Sequence, residues 1–344
     1  MSLFERDRSA ERIPVSLVTG FLGSGKTTLL NRVLADPRMA KSLVLVNEFG
    51  EVGLDHLLME SVAGDMVLLK SGCVCCTIKG ELEETLRGIS ARRQRGAIPE
   101  FDRVLIETTG LADPGPILQL LLNWPTVSHD YRLDSVLCTV DALHAEAQLD
   151  EHPEALRQAA VADRLLVTKS DLASPAAGRA LRQRLAGINP GALQIEAVQG
   201  MVDPAALFGA APQAASSGAA LERWLGVAGH DARHHHHHRD GHSAIGSFAL
   251  EFDTPLEWEV FSGWLSGVRA SWGDQLLRVK GILDVRGEDA PLVVHGVHRT
   301  FHSPALLAGW PAGERRSRLV FITRGLTREV VEASWRTHLA STRD

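Results

Sequence analysis

The 344-residue sequence has few cysteines, few aromatic residues and no long hydrophobic run. Only four residues are cysteine, and three of these crowd between positions 73 and 76, which leaves no even framework of disulfides. The longest apolar stretches, such as 117–122, are far shorter than the roughly 20 residues of a membrane-spanning helix. These absences argue against a disulfide-stapled secreted scaffold and against an integral membrane protein.

An excess of basic residues and a hydrophobic leader are also missing. The 36 Lys and Arg residues are outnumbered by 42 Asp and Glu residues, giving a net charge of -6, which argues against a nucleic-acid-binding protein. The segment MSLFERDRSAERIP at the start is polar and charged, unlike a signal peptide. We therefore predict a cytoplasmic protein that binds neither nucleic acid nor membrane, and the sequence leaves open whether it forms a homo-oligomer.

Residues 1–205 alternate short apolar runs with helical patterns. Near-continuous Val, Ile and Leu runs separated by helices are typical of a parallel sheet that is covered on both faces. One helix is predicted from about Lys26 to Leu34 and another from about Lys79. The predicted strands are 14–20, 42–48, 66–70, 102–107, 134–141, 163–169 and, near the end, 194–198.

Composition changes after residue 205. Residues 206–245 contain APQAASSGAA and HDARHHHHHRDGH, which predict a flexible His-rich linker with a short helix around 221–225. From residue 246 to 344 the pattern predicts a smaller α+β domain with a largely antiparallel sheet. Its predicted elements are strands at 248–252, 276–283, 292–297 and 317–323, with helices at about 258–268 and from about Thr327.

The segment from Gly20 to Thr27, GFLGSGKT, fits the pattern G-x-x-x-x-G-K-[ST] of a phosphate-binding loop, or P-loop. It follows a predicted strand and opens a predicted helix, so backbone N–H groups and the helix N-terminus can surround phosphate oxygens. Lys26 is expected to reach the β- and γ-phosphates, and the Thr27 hydroxyl to bind Mg²⁺. The predicted nucleotide contacts of this loop are Gly20, Gly23, Ser24, Gly25, Lys26, Thr27 and Thr28. The fold class is therefore α/β, a P-loop NTPase domain followed by a smaller α+β domain.

Two segments at strand ends are candidate switches, which are segments that respond to the γ-phosphate. Glu107 ends a predicted strand and can hold Mg²⁺ or its water, and Gly110 can offer its N–H to a γ-phosphate. The alternative for Glu107 is an exposed glutamate at a strand end. The segment 47–53, NEFGEVG, is a candidate first switch, or else a simple acidic turn. The predicted catalytic residues are Lys26, Thr27 and Glu107.

Thr168, Lys169 and Asp171 resemble the [NT]KxD signature for guanine. In that signature the Asp carboxylate accepts hydrogen bonds from N1 and N2 of guanine, which adenine does not offer as a pair. A solvated charged loop has the same pattern. After a phosphate loop, and at a strand end, the segment favours GTP as the nucleotide.

Cys73, Cys75 and Cys76 lie between two glycines, after one predicted strand and before a helix. A disulfide between such close neighbours would be strained, so the open interpretations are a metal site, a redox pair of Cys73 and Cys76, or buried inert thiols. Thiolates favour Zn²⁺, with Co²⁺ or Cu(I) as alternatives. Three sulfurs leave a fourth position to another ligand or open, and an open position suits transfer of the metal. We predict a zinc site that the nearby phosphates can influence.

Five segments in this order, GFLGSGKTTLL, NEFGEVGLD, GCVCC, ETTGLADPGP and TKSD, resemble the CobW family of metallochaperone GTPases. The segments LLRVKGIL, VVHGV and RSRLVFI are similar to that family's second domain. The resemblance implies GTP hydrolysis coupled to delivery of a transition metal held by the three clustered cysteines. It further suggests Glu48 and Glu51 as oxygen ligands and places residues 77–79 near the nucleotide, with Thr77 as a contact.

A dense histidine segment interrupts the linker. It is interpreted as a purification tag, as low-complexity filler or as a flexible arm that binds metal weakly, and we predict the last of these. The five residues of the run are His234, His235, His236, His237 and His238. His295, His298 and His302 have the spacing of an ordinary strand and turn, and Cys138 is expected to be a small buried hydrophobe in mid-strand.

Together these features predict a metal-binding GTPase that couples the reaction GTP + H2O to GDP + phosphate to delivery of zinc. The apo metalloprotein client would dock on the switches or on the C-terminal domain. The expected cofactors are Mg²⁺ and Zn²⁺, with Co²⁺ as an alternative. The alternative functions are a cobalt chaperone for cobalamin synthesis, a nucleotide-linked thiol redox switch and a metal-storage protein.

Overall fold

A computed structural model of the chain describes Phe4 and residues 11–47, 66–69, 76–210, 224–225, 245–307, 309–310 and 315–342. The chain divides into two compact units. The first unit comprises Ser9–Arg184 and Ala192–Ala211, and the second comprises Met1–Arg8, Leu185–Gly191 and Pro212–Asp344. The domain boundaries at residues 205 and 245 stay predictions.

A parallel sheet forms the centre of the stretch 11–210. Its seven described strands are β1 (Ile13–Gly20), β2 (Ser42–Asn47), β3 (Met66–Leu69), β4 (Arg103–Glu107), β5 (Tyr131–Asp141), β6 (Arg164–Thr168) and β7 (Leu193–Ala197). They run in the order β3-β2-β4-β1-β5-β6-β7, and each neighbouring pair is parallel. The carboxyl ends of all these strands therefore lie along one edge of the sheet.

Helices cover both faces of this sheet. They are α1 (Lys26–Leu34), α2 (Cys76–Gln94), α3 (Gly115–Asn123), α4 (Pro125–Ser128), α5 (Ala145–Glu151), α6 (Pro153–Val161), α7 (Pro175–Ile188) and α8 (Pro204–Leu207), with a 3-10 turn at Pro37–Met39. Alternate strand residues point to opposite faces, so Val18 packs with Leu29 and Leu30 of α1 while Leu17 is buried on the other face. This two-sided burial explains the continuous apolar strands.

The second unit contains an antiparallel sheet backed by two helices. Its strands are β8 (Ile245–Phe252), β9 (Leu276–Leu283), β10 (Leu292–Val297), β11 (Thr300–Phe301), β12 (Ala305–Leu306) and β13 (Ser317–Arg324), and its helices are α9 (Trp258–Trp272) and α10 (Arg328–Ser341). The order is β11-β10-β9-β13-β8, with β12 paired to β10. Phe261 and Trp264 of α9 form its core with Leu319 and Phe321 of β13. The predicted fold class, a mainly parallel α/β domain and a smaller α+β domain, is confirmed.

Most element bounds lie within two residues of those predicted, and four elements extend further, one of which is β8, which begins at Ile245 instead of 248. Strand β5 begins at Tyr131, because Tyr131 and Arg132 pair with Ile13 and Pro14 of β1 although their sequence is polar. Helix α2 begins at Cys76, before the predicted Lys79, and α9 continues to Trp272. No helix within the described ranges is both long and apolar enough to cross a membrane.

Candidate functional site

The phosphate loop curls between β1 and α1 in a conformation that favours glycine. The backbone φ angles are 139° at Gly20, 72° at Gly23 and 90° at Gly25. A Cβ atom on Gly20 would lie 2.2 Å from Thr139 Oγ1, so no larger residue fits there. The predicted strand, loop and helix are therefore present in the order that a phosphate-binding loop requires.

Lys26, the first residue of α1, lies across this loop. Its buried Nζ donates to the backbone oxygens of Gly20 at 2.9 Å and Phe21 at 3.2 Å. These contacts hold the ammonium group within the curl of the loop, where backbone N–H groups and the α1 N-terminus favour an anion. Thr28 follows on the exposed side of α1.

Thr27 and Glu107 meet at the edge of the sheet where β1 and β4 end. The Thr27 hydroxyl donates to Glu107 Oε1 at 3.2 Å. Glu107 is buried, so the interpretation of an exposed glutamate is wrong. A hydroxyl and a carboxylate are the hard oxygen ligands that Mg²⁺ prefers, and the pair fits that ion by its chemistry.

The segment 108–113, which follows β4, packs directly on the phosphate loop. A Cβ atom on Gly110 would lie 2.6 Å from the backbone nitrogen of Leu22. The side chain of Gln158 on α6 donates from Nε2 to the Gly110 oxygen at 3.1 Å and to the Ala112 oxygen at 3.0 Å. Asp113 Oδ1 accepts from the Gly115 N–H at 2.8 Å, just before α3 begins. Sequence reasoning missed Gln158, although a glutamine on the buried face of an amphipathic helix is a detectable signal.

The carboxyl end of β6 contacts the other side of the loop. Thr168 Oγ1 donates to the Ser24 oxygen at 2.8 Å, and Lys169 Nζ donates to the Gly23 oxygen at 2.9 Å. Lys169 has a φ of 55°, which turns the chain sharply before Asp171 on the exposed turn. Thr168 and Lys169 are thus brought to the phosphate loop, and guanine recognition by this segment stays a prediction.

Asp141, at the end of β5, orients Lys169. Its Oδ2 lies 2.7 Å from Lys169 Nζ and 2.9 Å from His144 Nδ1, and the Leu143 N–H donates to Oδ1 at 2.9 Å. Burial alone would raise the pKa of Asp141, but these hydrogen bonds outweigh it and lower the pKa below its usual value. The sequence analysis missed Asp141, which its position after an apolar strand could have indicated.

Cys138 lies in the middle of β5 and is buried, as predicted. Burial raises the pKa of its thiol to about 12 and so keeps the sulfur protonated. A protonated thiol is neither a metal ligand nor a nucleophile. Cys138 is therefore a small core residue.

The predicted metal ligands fall mostly on residues that the structure does not describe. Helix α2 begins with Cys76 and Thr77, of which only the backbone is described. Across the described ranges, no group of three or more His, Cys, Asp and Glu side chains could hold a metal ion. The residues outside the described ranges are Cys73, Cys75, Glu48, Glu51, His234, His235, His236, His237 and His238.

Two described strands, β2 and β3, precede the segments that carry the glutamates and the cysteines. In the register of the sheet, Asn47 of β2 pairs with Leu69 of β3, and Val46 pairs with Glu107 of β4. Strands β2 and β3 therefore end at the edge of the sheet where Glu107 lies.

Histidines in the second unit form a separate group. The rings of His295 and His302 stack with centroids 4.6 Å apart, and His298 has a φ of 51° in the turn after β10. Burial lowers the pKa of His295 well below its usual range, and the charges of His302, Arg278 and Lys280 lower it further. These residues follow the strand and turn that their spacing predicted.

Comparison with known proteins gives matches over nearly the whole chain. Residues 14–196 match the CobW/HypB/UreG nucleotide-binding domain, and residues 245–339 match the cobalamin synthesis protein cobW C-terminal domain. The zinc chaperone YjiA of Escherichia coli (strain K12) is 37% identical over 327 residues, which cover 94% of this chain and 98% of that protein. The zinc chaperone CobW of Pseudomonas aeruginosa is 31% identical over 367 residues, covering 97% and 93%.

A solved structure is similar over the same length. The crystal structure of the Zn(II)-bound YjiA GTPase from E. coli has a TM-score of 0.69 at 31% sequence identity. The match covers 95% of this chain and 98% of that one. Both units are therefore shared with that protein.

Proposed function

Because the chain belongs to the CobW family, we propose that it is a metal-binding GTPase that couples GTP binding and hydrolysis to delivery of zinc to client proteins. The observation that carries this proposal is the convergence of two strand ends, those of β4 and β6, on the phosphate loop and the first turn of α1. Lys26 contacts the loop from within, Glu107 reaches it through Thr27, and Lys169 reaches it from β6. The names of the zinc chaperone relatives support zinc as the cargo.

Hydrolysis in this site depends on positioning and charge. Water attacks the γ-phosphorus of GTP, and the bond from that phosphorus to the bridging oxygen of GDP breaks. Lys26 stabilises the negative charge that develops on the transferred phosphoryl group, and the Gly110 N–H donates to a γ-phosphate oxygen. Thr27 and Glu107 would hold Mg²⁺, which when bound neutralises phosphate charge.

Guanine is selected at the end of β6. Support comes from the contacts of Thr168 and Lys169 with the phosphate loop, next to which the following turn would face the nucleotide. The Asp171 carboxylate then accepts from N1 and N2 of the base. Adenine has no such pair of donors, so the site prefers GTP to ATP.

The zinc cargo is bound by the thiolates of Cys73, Cys75 and Cys76. Glu48 and Glu51 supply additional oxygen ligands, and the histidines of 234–238 collect metal weakly because nothing orients them. Support comes from the register of the sheet, which brings the ends of β2, β3 and β4 to one edge. A change at the γ-phosphate would therefore act at the edge where the strands that precede the metal ligands in the chain end.

Coupling requires that the affinity for the metal differ between the GTP and GDP states. In the GTP state the two switches are ordered and the cysteines are preorganised. Hydrolysis relaxes both switches and releases the metal to an apo metalloprotein client that docks on the switches or on the second unit. Typical coupling changes an affinity about 5- to 150-fold.

The test is a titration of Zn²⁺ and Co²⁺ against a competing chelator, with Mg²⁺ and a non-hydrolysable GTP analogue, with Mg²⁺ and GDP, and without nucleotide. We expect the GTP analogue to tighten zinc binding about 5- to 150-fold relative to GDP. The double variant Cys75→Ala/Cys76→Ala should abolish this difference. Cys138→Ala, which removes the buried thiol of β5, is the matched control and should retain it.

Other outcomes separate the alternatives. Preferential tightening of Co²⁺ would indicate a cobalt chaperone. An affinity that is the same in all three nucleotide states would contradict the coupling and favour metal storage. Loss of two free thiols on mild oxidation, with zinc removed, would favour the Cys73 and Cys76 redox pair. A variant lacking residues 230–242 should keep the tight site.

A further inference from the structure

Gln158 makes the contact in this site that the roles above do not explain. It lies on α6, is completely buried, and donates from Nε2 to two backbone oxygens, those of Gly110 and Ala112. Because both acceptors are carbonyl oxygens, only the NH2 end of the side chain can face them. Its Oε1 is buried and has no hydrogen-bond partner within the described part of the chain.

Filling space in the core does not require this arrangement. Methionine has nearly the same length and volume and would remove the unpaired Oε1, but the Gly110 and Ala112 oxygens would then lose this donor. Gln158 instead binds two backbone oxygens of one loop that is remote from α6 in the sequence. Gly110 precedes Gln158 by 48 positions. The contact therefore constrains the backbone of residues 110–112.

Further contacts join the same helix to both phosphate-facing loops. Arg157, the neighbour of Gln158, lies with Nε 3.2 Å from Asp113 Oδ2. His152, which immediately precedes α6, stacks on Phe21 of the phosphate loop with ring centroids 4.5 Å apart. Helix α6 also packs against β1 and β5, so it is a rigid support for these contacts.

We infer that Gln158 is a positioning residue that holds the Gly110 N–H in line with the γ-phosphate of GTP. Gly110 is already in van der Waals contact with Leu22 of the phosphate loop, where a Cβ would meet the Leu22 nitrogen at 2.6 Å. A small displacement of its backbone therefore moves the donor away from the phosphate. The inference rests on the proposed GTPase function. GDP has no γ-phosphate, so its binding is independent of Gln158.

The test compares Gln158→Met with the wild type in GTP hydrolysis and in GDP affinity. We expect kcat to fall about 10- to 100-fold, because misplacement of a group by about 1 Å has this effect. GDP affinity should stay within about twofold, since Gly110 faces only the third phosphate. The matched control is Gln194→Met. Gln194 Nε2 also donates to a backbone oxygen, that of Arg182 at 2.9 Å, but this contact does not involve the loop. It should leave both values unchanged.

Gln158→Glu provides a second variant with a pH readout. An ionised carboxylate cannot donate to the two carbonyl oxygens, whereas a protonated one can donate to one of them. Burial raises the pKa of such a carboxyl group. As the pH falls from about 8 to about 6, the variant should therefore regain part of the rate that the wild type has at the same pH. A merely structural role would not produce this recovery.

Equal loss of kcat and GDP affinity in Gln158→Met, or a rate within about twofold of the wild type, would overturn the inference. If Gln158→Met fails to fold, absence of the pH-dependent recovery in Gln158→Glu does the same. Failure of the proposed function is distinguishable, because the wild type itself would then bind neither GTP nor GDP.

Discussion

Gly20 and Gly23 lie in the same loop and differ in what surrounds them. A Cβ on Gly20 would meet the Thr139 side chain at 2.2 Å and the Thr139 backbone oxygen at 2.5 Å. No heavy atom lies within 4 Å of the corresponding position on Gly23, whose φ is 72°. The first glycine is therefore required by close packing against β5 in addition to its φ of 139°, and the second by its backbone conformation alone.

Alanine substitutions should separate these two effects. Gly23→Ala should lower the free energy of unfolding by about 1–2 kcal/mol, the cost of a left-handed conformation. Gly20→Ala should lower it by about 3 kcal/mol or more, since a strand of the sheet must also move. Urea unfolding of both variants measures the difference, and equal losses would contradict the packing explanation.

His295 shows how residues on neighbouring elements determine the pKa of one side chain. It lies on β10 directly opposite Lys280 of β9, beside the ring of His302 and 6.3 Å from the centroid of Trp224. Burial lowers the pKa of His295, and the positive charges of His302, Arg278 and Lys280 add to the effect. The folded chain therefore keeps this imidazole neutral at a pH where the unfolded chain binds a proton.

The second unit should lose stability as the pH falls below 6.5, the usual pKa of histidine. In that range the unfolded chain binds more protons than the folded chain, so His295 contributes full stability above pH 6.5 and progressively less below it. The slope from this residue approaches about 1.4 kcal/mol per pH unit. In His295→Gln the free energy of unfolding, measured with denaturant, should change less steeply with pH between about pH 5 and pH 6.5.

An internal control comes from the upper part of the pH range. Above about pH 7.5 the plots of unfolding free energy against pH should be parallel for the wild type and His295→Gln. Histidine is then neutral in both the folded and the unfolded chain. Curves that are parallel over the entire range would show that His295 does not carry the effect.

Each compact unit has its own hydrophobic core. In the first, Val18, Leu105 and Leu166 of the sheet pack with residues of α1. In the second, Phe261 and Trp264 of α9 pack with the antiparallel sheet. A ligand of the first unit therefore stabilises only that unit directly.

Calorimetry of the full chain should show two unfolding transitions. Mg²⁺ and GDP should raise the midpoint temperature of one of them. The shift corresponds to about 2.7 kcal/mol at a nucleotide concentration 100 times Kd. Tryptophan emission assigns the transitions, because all of the seven tryptophans except Trp124 lie in the second unit. A single transition that shifts as a whole would show that the units unfold together.

Much of this molecule was predictable from local patterns. The segment from Gly20 to Thr27 contains the loop, the cap and the start of the helix within eight residues. The apolar strands predict a sheet that is covered on both faces. The pairing of Thr27 with Glu107 could be predicted only by assuming that β1 and β4 end side by side. The cysteine motif stays a prediction, because its side chains lie outside the described residues.

The sequence by itself determined the order of elements, the phosphate loop and the family, since periodicity and motif spacing are properties of neighbouring residues. Only the tertiary structure decided that Gln158 holds Gly110 and that Asp141 orients Lys169. Those contacts depend on the strand order, in which β4 lies between β2 and β1 although it follows both in the chain. The order reflects how the buried faces pack together, which no local pattern encodes.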